Sequence, residues 1–212
     1  VKIGIYPYGP IDAIMYVVEG SEHSYIIDPC VALSEIQQPD TPYKGILITH
    51  CHYDHINRME EIRNALDVKV YAHAFEFPSF SDTVKSGAAF FMSDEIFDTP
   101  DYKINEGDTF SLDPDSYIKA LHTPGHTIGG LSFLLFDKGK LAAIFTGDTI
   151  FKGSAGRTDL GGDPVQLDRS LRILASFEND VMIYPGHGAK STVGYEKANN
   201  PFLVRAMKSY NM

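Results

Sequence analysis

Apolar and β-branched residues gather in short runs along the whole chain, separated by glycine, proline and aspartate. KIGIYP, AIMYVVE and SYIIDP lie between turn formers and predict three short strands at the start. GILITH reads as a buried strand, INRMEEIRNAL carries the apolar spacing of an amphipathic helix, and VKVYAH returns to strand, forming a βαβ-like unit. Between Phe75 and Asp101 the pattern loses its period, which predicts a loop-rich excursion with short helices, a candidate lid or substrate wall. Beyond it DTFSL, YIKALHT, LSFLLF and LAAIFTGD predict strands, PVQLDRSLRILASF a helix, VMIYPG a strand, and YEKANN a polar helix or turn. Strands dominate both halves, so the expected architecture is two sheets packed face to face with helices outside. No short repeat, low-complexity tract or Pro/Ser linker divides the chain, and residues 1–212 are read as one domain.

With 212 residues, 43% of them hydrophobic, the chain can bury a sizeable core without disulfides. The formal charge of −10 argues against a nucleic-acid partner, because phosphate binding needs a basic face. Cys30 and Cys51 are too few for a disulfide scaffold and lack the paired spacing of a cysteine zinc site, which fits a reducing, cytoplasmic setting. No stretch approaches membrane-spanning length, and the start lacks a basic region followed by a long apolar run. Neither membrane insertion nor secretion is expected.

The candidate chemistry is concentrated in Thr49-His50-Cys51-His52-Tyr53-Asp54-His55, directly after the strand GILI. If the chain stays extended there, the two-residue period projects His50 and His52 to one side, where they can share an ion. Asp54 and His55 come one step later, where the chain turns toward a helix and can aim at a second point. Asp54 also has the position of a helix N-cap, and the two roles are compatible. His126, Asp148 and His187 each follow a predicted strand, in loops containing glycine, where a rigid scaffold presents side chains to one point. Seven candidates overfill a single catalytic zinc, which generally takes three protein ligands and keeps one position open. They divide into His50, His52 and His126 for one ion and Asp54, His55 and His187 for another, with Asp148 bridging. That leaves a bridging position for water, whose pKa falls to near ~7 on metal.

The segment THCHYDH matches the pattern T-H-x-H-x-D-H, and TPGHT, TGDT and PGHG follow in the same order. On these motifs the chain resembles the metallo-β-lactamase superfamily and, within it, the glyoxalase II-like (hydroxyacylglutathione hydrolase-like) branch in its compact bacterial type. The resemblance implies an α/β fold, a four-layer αβ/βα sandwich of two mixed sheets, with the site at one edge. It assigns the same metal partition to the same seven positions. Aspartate at 148, rather than cysteine, sets the chain apart from the lactamases with two fully occupied zincs. Arg157 stands where glyoxalase II has a basic substrate-binding residue, although Asp159 departs from the aromatic expected nearby. His73 and His122 fall outside the motifs, and His122 is read as a supporting histidine. Cys51, pointing opposite to its neighbours, is read as packing.

The activity implied is hydrolysis of a thioester by a metal-bridging hydroxide that Asp54 orients, with Asp54 passing the proton to the leaving group. The cofactors expected are two divalent ions, zinc first, with iron or manganese accepted by the same nitrogen and oxygen donors. The expected partner is a small molecule, an anionic thioester. A persulfide dioxygenase with one non-haem iron on His50, His126 and Asp148 is the first alternative, because it shares THCHxDH and the GRTD segment. A lactonase or other ester hydrolase of the superfamily is the second.

Overall fold

A computed structural model of the chain describes residues 1–9 and 11–208. Two six-stranded sheets carry the fold. The first runs in sequence order through β1 (Lys2–Tyr8), β2 (Ala13–Glu19), β3 (Ser24–Ile27), β4 (Tyr43–Leu47), β5 (Lys69–His73) and β6 (Tyr102–Ile104). Its first three strands are antiparallel hairpin partners and the rest pair in parallel. The second sheet contains β7 (Thr109–Asp113), β8 (Ser116–His122), β9 (Leu131–Asp137), β10 (Lys140–Gly147), β13 (Met182–Pro185) and β14 (Ser191–Thr192). A separate hairpin, β11 (Ile150–Phe151) with β12 (Ser154–Ala155), interrupts it. Both large sheets are mixed, because β10 pairs with β13 in parallel.

The four layers follow from the way successive side chains alternate across a strand. Tyr16, Val18, Ile27 and Leu47 face Phe133, Leu135 and Phe145 of the other sheet in the central core. Their neighbours Val17, Ile26, Ile46 and Ile48 point the other way, onto Ile56, Met59 and Ile62. In the second sheet Leu134, Ile144 and Ile183 turn outward onto Leu167, Leu171, Leu174 and Leu203. Strands buried on both faces read as continuous apolar runs, as AIMYVVE and LSFLLF do. The outer helices are α1 (Tyr53–Ile56), α2 (Met59–Leu66) and α3 (Phe77–Phe80) on one side, with α4 (Pro164–Ala175), α5 (Val193–Asn199) and α6 (Pro201–Lys208) on the other. α4 starts on a built cap: the Asp163 carboxylate accepts from the amides of Val165 and Gln166, with Pro164 at the first helical position.

The chain differs from its pattern in a few places. The single helix expected over INRMEEIRNAL is split, because Arg58 leaves the helical region at φ −112, ψ 8. The short α1 turns His55 into the interior while α2 lays Met59 and Ile62 on the sheet, and one straight helix cannot do both. Asp54 does not cap: the cap position belongs to His52, which makes no side-chain cap bond. Strand β6, the β11–β12 hairpin, strand β14 and helix α6 carry no clear signal in the sequence pattern. Among the described residues no helix is long and apolar enough to cross a membrane.

Candidate metal centre

The polar cluster sits where strands of both sheets end. Asp28 follows β3, Thr49 and His50 follow β4, Asp148 follows β10, and Gly186 and His187 follow β13. His126 lies in the loop after β8, and Asp54 and His55 lie on α1. The structure brings His50, His52 and His126 into one group and Asp54, His55 and His187 into another. In each group the donor atoms lie within 4.8 Å of one another. Asp148 stands between them: its Oδ2 is 3.5 Å from His126 Nε2, 4.0 Å from His50 Nε2 and 3.4 Å from His187 Nε2. Its Oδ1 lies 3.4 Å from His55 Nε2.

Four of the five imidazoles are fixed through their far nitrogen. His55 Nδ1 meets Asp28 Oδ2 at 3.1 Å, His126 Nδ1 meets the Arg157 carbonyl at 2.7 Å, and His187 Nδ1 meets the Ile11 carbonyl at 2.8 Å. These acceptors require N–H at Nδ1, so in its neutral form each ring turns an Nε2 lone pair toward the cluster. Thr49 Oγ1 donates to Asp28 at 2.6 Å, so it accepts from His50 Nδ1 at 3.0 Å, and the same tautomer follows. Asp28 also accepts from the Thr49 amide at 2.8 Å, so one buried carboxylate orients both His50 and His55. The donor set Asp28, His50 and His55 is also compact, but the oxygens of Asp28 already accept these hydrogen bonds, which makes it a support.

The chemistry of these donors fits metal ions. His50 Nε2, His52 Nε2 and Asp148 Oδ1 are buried without a hydrogen-bond partner. His126 Nε2 faces His52 Nδ1 at 2.8 Å and His55 Nε2 faces His187 Nε2 at 3.1 Å. Lone pairs that converge in this way call for a shared cation. A Cβ on Gly186 would fall 2.2 Å from Asp148 Oδ1 and 2.8 Å from His55 Cε1, so only glycine leaves this space open.

The electrostatics divide the metal-free cluster into two halves. Burial, reinforced by neighbouring histidines, pushes the His52 pKa down to about 3 and His50 well below its usual value. For His187 burial acts downward but is outweighed by hydrogen bonds to Asp148 and Asp54, which hold it up at about 9. Burial likewise opposes charge on His55, and Asp148 and Asp54 overcome it, raising its pKa well above the ordinary value. Asp54 is desolvated too, yet His55 and His187 hold its carboxyl below the usual range.

Two acidic residues carry structural weight that the motifs do not reveal. Asp28 is one. Glu76 is the other: its buried carboxylate accepts from the Cys51 amide at 2.9 Å and the Gly129 amide at 2.8 Å, tying the His50–His55 segment to the His126 loop. Asp28 offers a signal, since it too directly follows a buried strand; Glu76 offers none, being one polar residue in FEFPSF. Arg157 lines the cleft beside the cluster, but its exposed guanidinium is held by Asp159 through two bonds of 2.6 and 2.5 Å. His122 stacks on His73, with ring centroids 4.4 Å apart, and its Nε2 meets the Ile128 carbonyl, outside both donor groups. Cys51 is buried in the core beside Met59 and Phe80, and burial pushes its thiol well above the usual pKa.

An αβ/βα sandwich with a histidine and aspartate cluster at the strand ends defines a metal-dependent class, and the chain belongs to the metallo-beta-lactamase superfamily, whose model matches residues 9–187. The cluster is that superfamily's dinuclear metal site. The chain is 33% identical to the probable metallo-hydrolase YqgX of Bacillus subtilis, over 93% of this chain and 95% of that protein. It is also 33% identical to the hydroxyacylglutathione hydrolase GloC of Haemophilus influenzae, over 87% and 89%. Among solved structures it is similar to the B3 metallo-beta-lactamase BLEG-1, with a TM-score of 0.82 and 30% identity over 95% of this chain and 99% of that one. TTHA1623, solved in a di-iron-bound form, gives a TM-score of 0.82 and 33% identity over 94% and 99%.

Proposed function

We propose that this metallo-hydrolase of the superfamily cleaves a thioester in the manner of a hydroxyacylglutathione hydrolase. The observation that carries the dinuclear reading is the division of the donors into two groups around the two oxygens of Asp148. His50, His52 and His126 would hold one ion and Asp54, His55 and His187 the other, with Asp148 shared. Ions bound there supply Lewis-acid polarisation of a carbonyl and make water acidic enough to ionise near neutral pH. Zinc is the first choice, with iron and manganese accepted by the same donors.

The protein's own part is to orient and to move a proton. Asp54 stays ionised, and its Oδ2 lies 3.2 Å from His187 Nε2 in a cleft of about 290 Å³. From there it takes the proton of the attacking water as the new C–O bond forms, and returns it to the sulfur as the C–S bond breaks. No protein nucleophile is needed, and the protonated thiol of Cys51 is unsuited to that role. The GloC relative and the carboxylate at 148 support a thioester. Arg157 at the rim suits an anionic small molecule that can compete with Asp159. The charge of −10 speaks against nucleic acid, and the two buried free thiols suit a cytoplasmic setting.

The decisive experiment pairs metal analysis with hydrolysis of S-lactoylglutathione, simple thioesters, a lactone and a β-lactam. Two ions per chain with thioester turnover is the expected result, and Asp54→Ala should lower kcat roughly 10²- to 10⁴-fold. Full turnover by Asp54→Ala at full metal content would remove the proton-transfer role. One iron per chain with oxygen uptake on glutathione persulfide would overturn the hydrolase. That dioxygenase reading uses His50, His126 and Asp148 and leaves the group Asp54, His55 and His187 without a task.

A further inference from the structure

Beside the metal cleft lies a second hollow of about 440 Å³. Phe90 and Leu160 wall both, so the two adjoin. Sequence neighbours divide between them in the same way. His52 and His126 line the metal cleft, while Cys51, Thr127 and Ile128 line the second hollow. Along both segments the metal cleft and this space are thus one residue apart in sequence.

The walls are apolar and oddly open. Phe90 is 68% exposed, Val84 70% and Ile128 48%. Single exposed apolar residues need no explanation, but several converging on the mouth of an active site mark a binding surface. The charges around the hollow offer little to an anion. Lys85 pairs with Asp82 at 3.4 Å, Arg157 is held by Asp159, and Asp159 and Glu76 themselves line the hollow.

We propose that this second hollow is a subsite for an uncharged, apolar arm of the substrate, an alkyl or aryl group on one side of the scissile bond, gripped by Val84, Phe90, Ile128 and Leu160. The inference rests on the thioesterase reading and narrows it. The arm that reaches Arg157 can carry charge, while the arm beyond Phe90 and Leu160 does not.

The test is binding of S-alkyl-N-acetylcysteamines, thioethers that cannot be hydrolysed, to the metal-loaded protein by calorimetry. Lengthening the alkyl chain should lower Kd roughly fourfold per buried methylene until the hollow is full. Ile128→Asp should flatten that series, and Val84→Asp, at a more exposed wall position, should flatten it in part. A Kd indifferent to chain length, or a slope unchanged in both variants, overturns the subsite. Thioesters bearing the same alkyl groups separate the two claims. If they turn over without regard to the length of either arm, the subsite falls and the hydrolase stands. If the thioethers bind with the steep slope while the thioesters resist the two-metal protein, the thioesterase reading falls and the apolar subsite stands.

Discussion

Around the metal cluster, His50, His55, His126 and His187 each have Nδ1 tied to a carbonyl, hydroxyl or carboxylate, whereas the cleft wall formed by Phe90 and Phe91 is exposed. The first region grows from strand ends of two packed sheets. The second is a stretch of turns and short helices between β5 and β6, with Gly87 and Met92 both at positive φ. A donor atom misplaced by an ångström loses its ion, so the edge is over-determined by hydrogen bonds. Contact with an apolar arm has no such angular demand, and a loop can supply it. The difference separates two kinds of mutation: those at the edge act on metal content, and those in the wall act on which substrate is taken.

The largest expected effect is that of pH on the edge. In the metal-free protein His187 titrates at about 9 and so carries a proton at pH 7, and Asp148 and Asp54 favour the charged form of His55 as well. Metal must displace these protons. Affinity for the ion at Asp54, His55 and His187 should rise with pH, about tenfold per unit for each proton released. Calorimetry in buffers of different ionisation enthalpy counts those protons; release of none would contradict the charge pattern. The same shift has the opposite sign for folding. A histidine raised from 6.5 to about 9 stabilises the metal-free fold fully below pH 6.5, and that contribution is lost as pH climbs through 9. The Tm of the metal-free protein should therefore decline over that window, and metal should reverse the trend.

Next in size is Asp28→Asn. The amide cannot accept from Thr49 and from His55 Nδ1 as the carboxylate does, so two imidazoles lose their orientation together. Metal affinity should fall roughly 10- to 100-fold while far-UV circular dichroism stays unchanged. Wild-type affinity in this variant would mean the edge is held by packing alone, and the contrast with the wall would weaken.

How much of this was legible depends on whether a signal is local. The alternation of Val17 and Ile26 with Tyr16 and Ile27 is written in each strand, so sheets and layers follow from the pattern. The cluster is legible for a related reason: His126, Asp148 and His187 each stand just beyond a strand that the pattern marks. Asp28 stands in the same kind of place, but SYIIDP also reads as an ordinary turn, and only the approach of Thr49 and His55 from elsewhere shows its role. The break at Arg58 and the clamp of Glu76 are tertiary in origin, since each answers to a segment remote in sequence. Helix α6 was hidden because its buried apolar face, Leu203 and Ala206, is short, and its neighbours on α4 and in the second sheet lie far away in sequence. Arg157 is a mixed case, because a motif marks the residue but not its pairing with Asp159.

That residue gives the smallest and sharpest test, because the two regions meet in it. Its carbonyl accepts from His126 Nδ1 at 2.7 Å and so belongs to the edge, while its guanidinium, 60% exposed and paired with Asp159, belongs to the rim. Replacing the side chain leaves the carbonyl in place. Arg157→Ala should therefore keep its metal content and raise KM for an anionic thioester by no more than about fivefold, since an exposed pair already shared with a carboxylate has little left to give a substrate. For an uncharged thioester KM should not move at all. Loss of metal in this variant would show that the guanidinium holds the loop, and so the His126 ring, in position; the division between a rigid edge and an adaptable rim would then run through the backbone of Arg157 and not between its two halves.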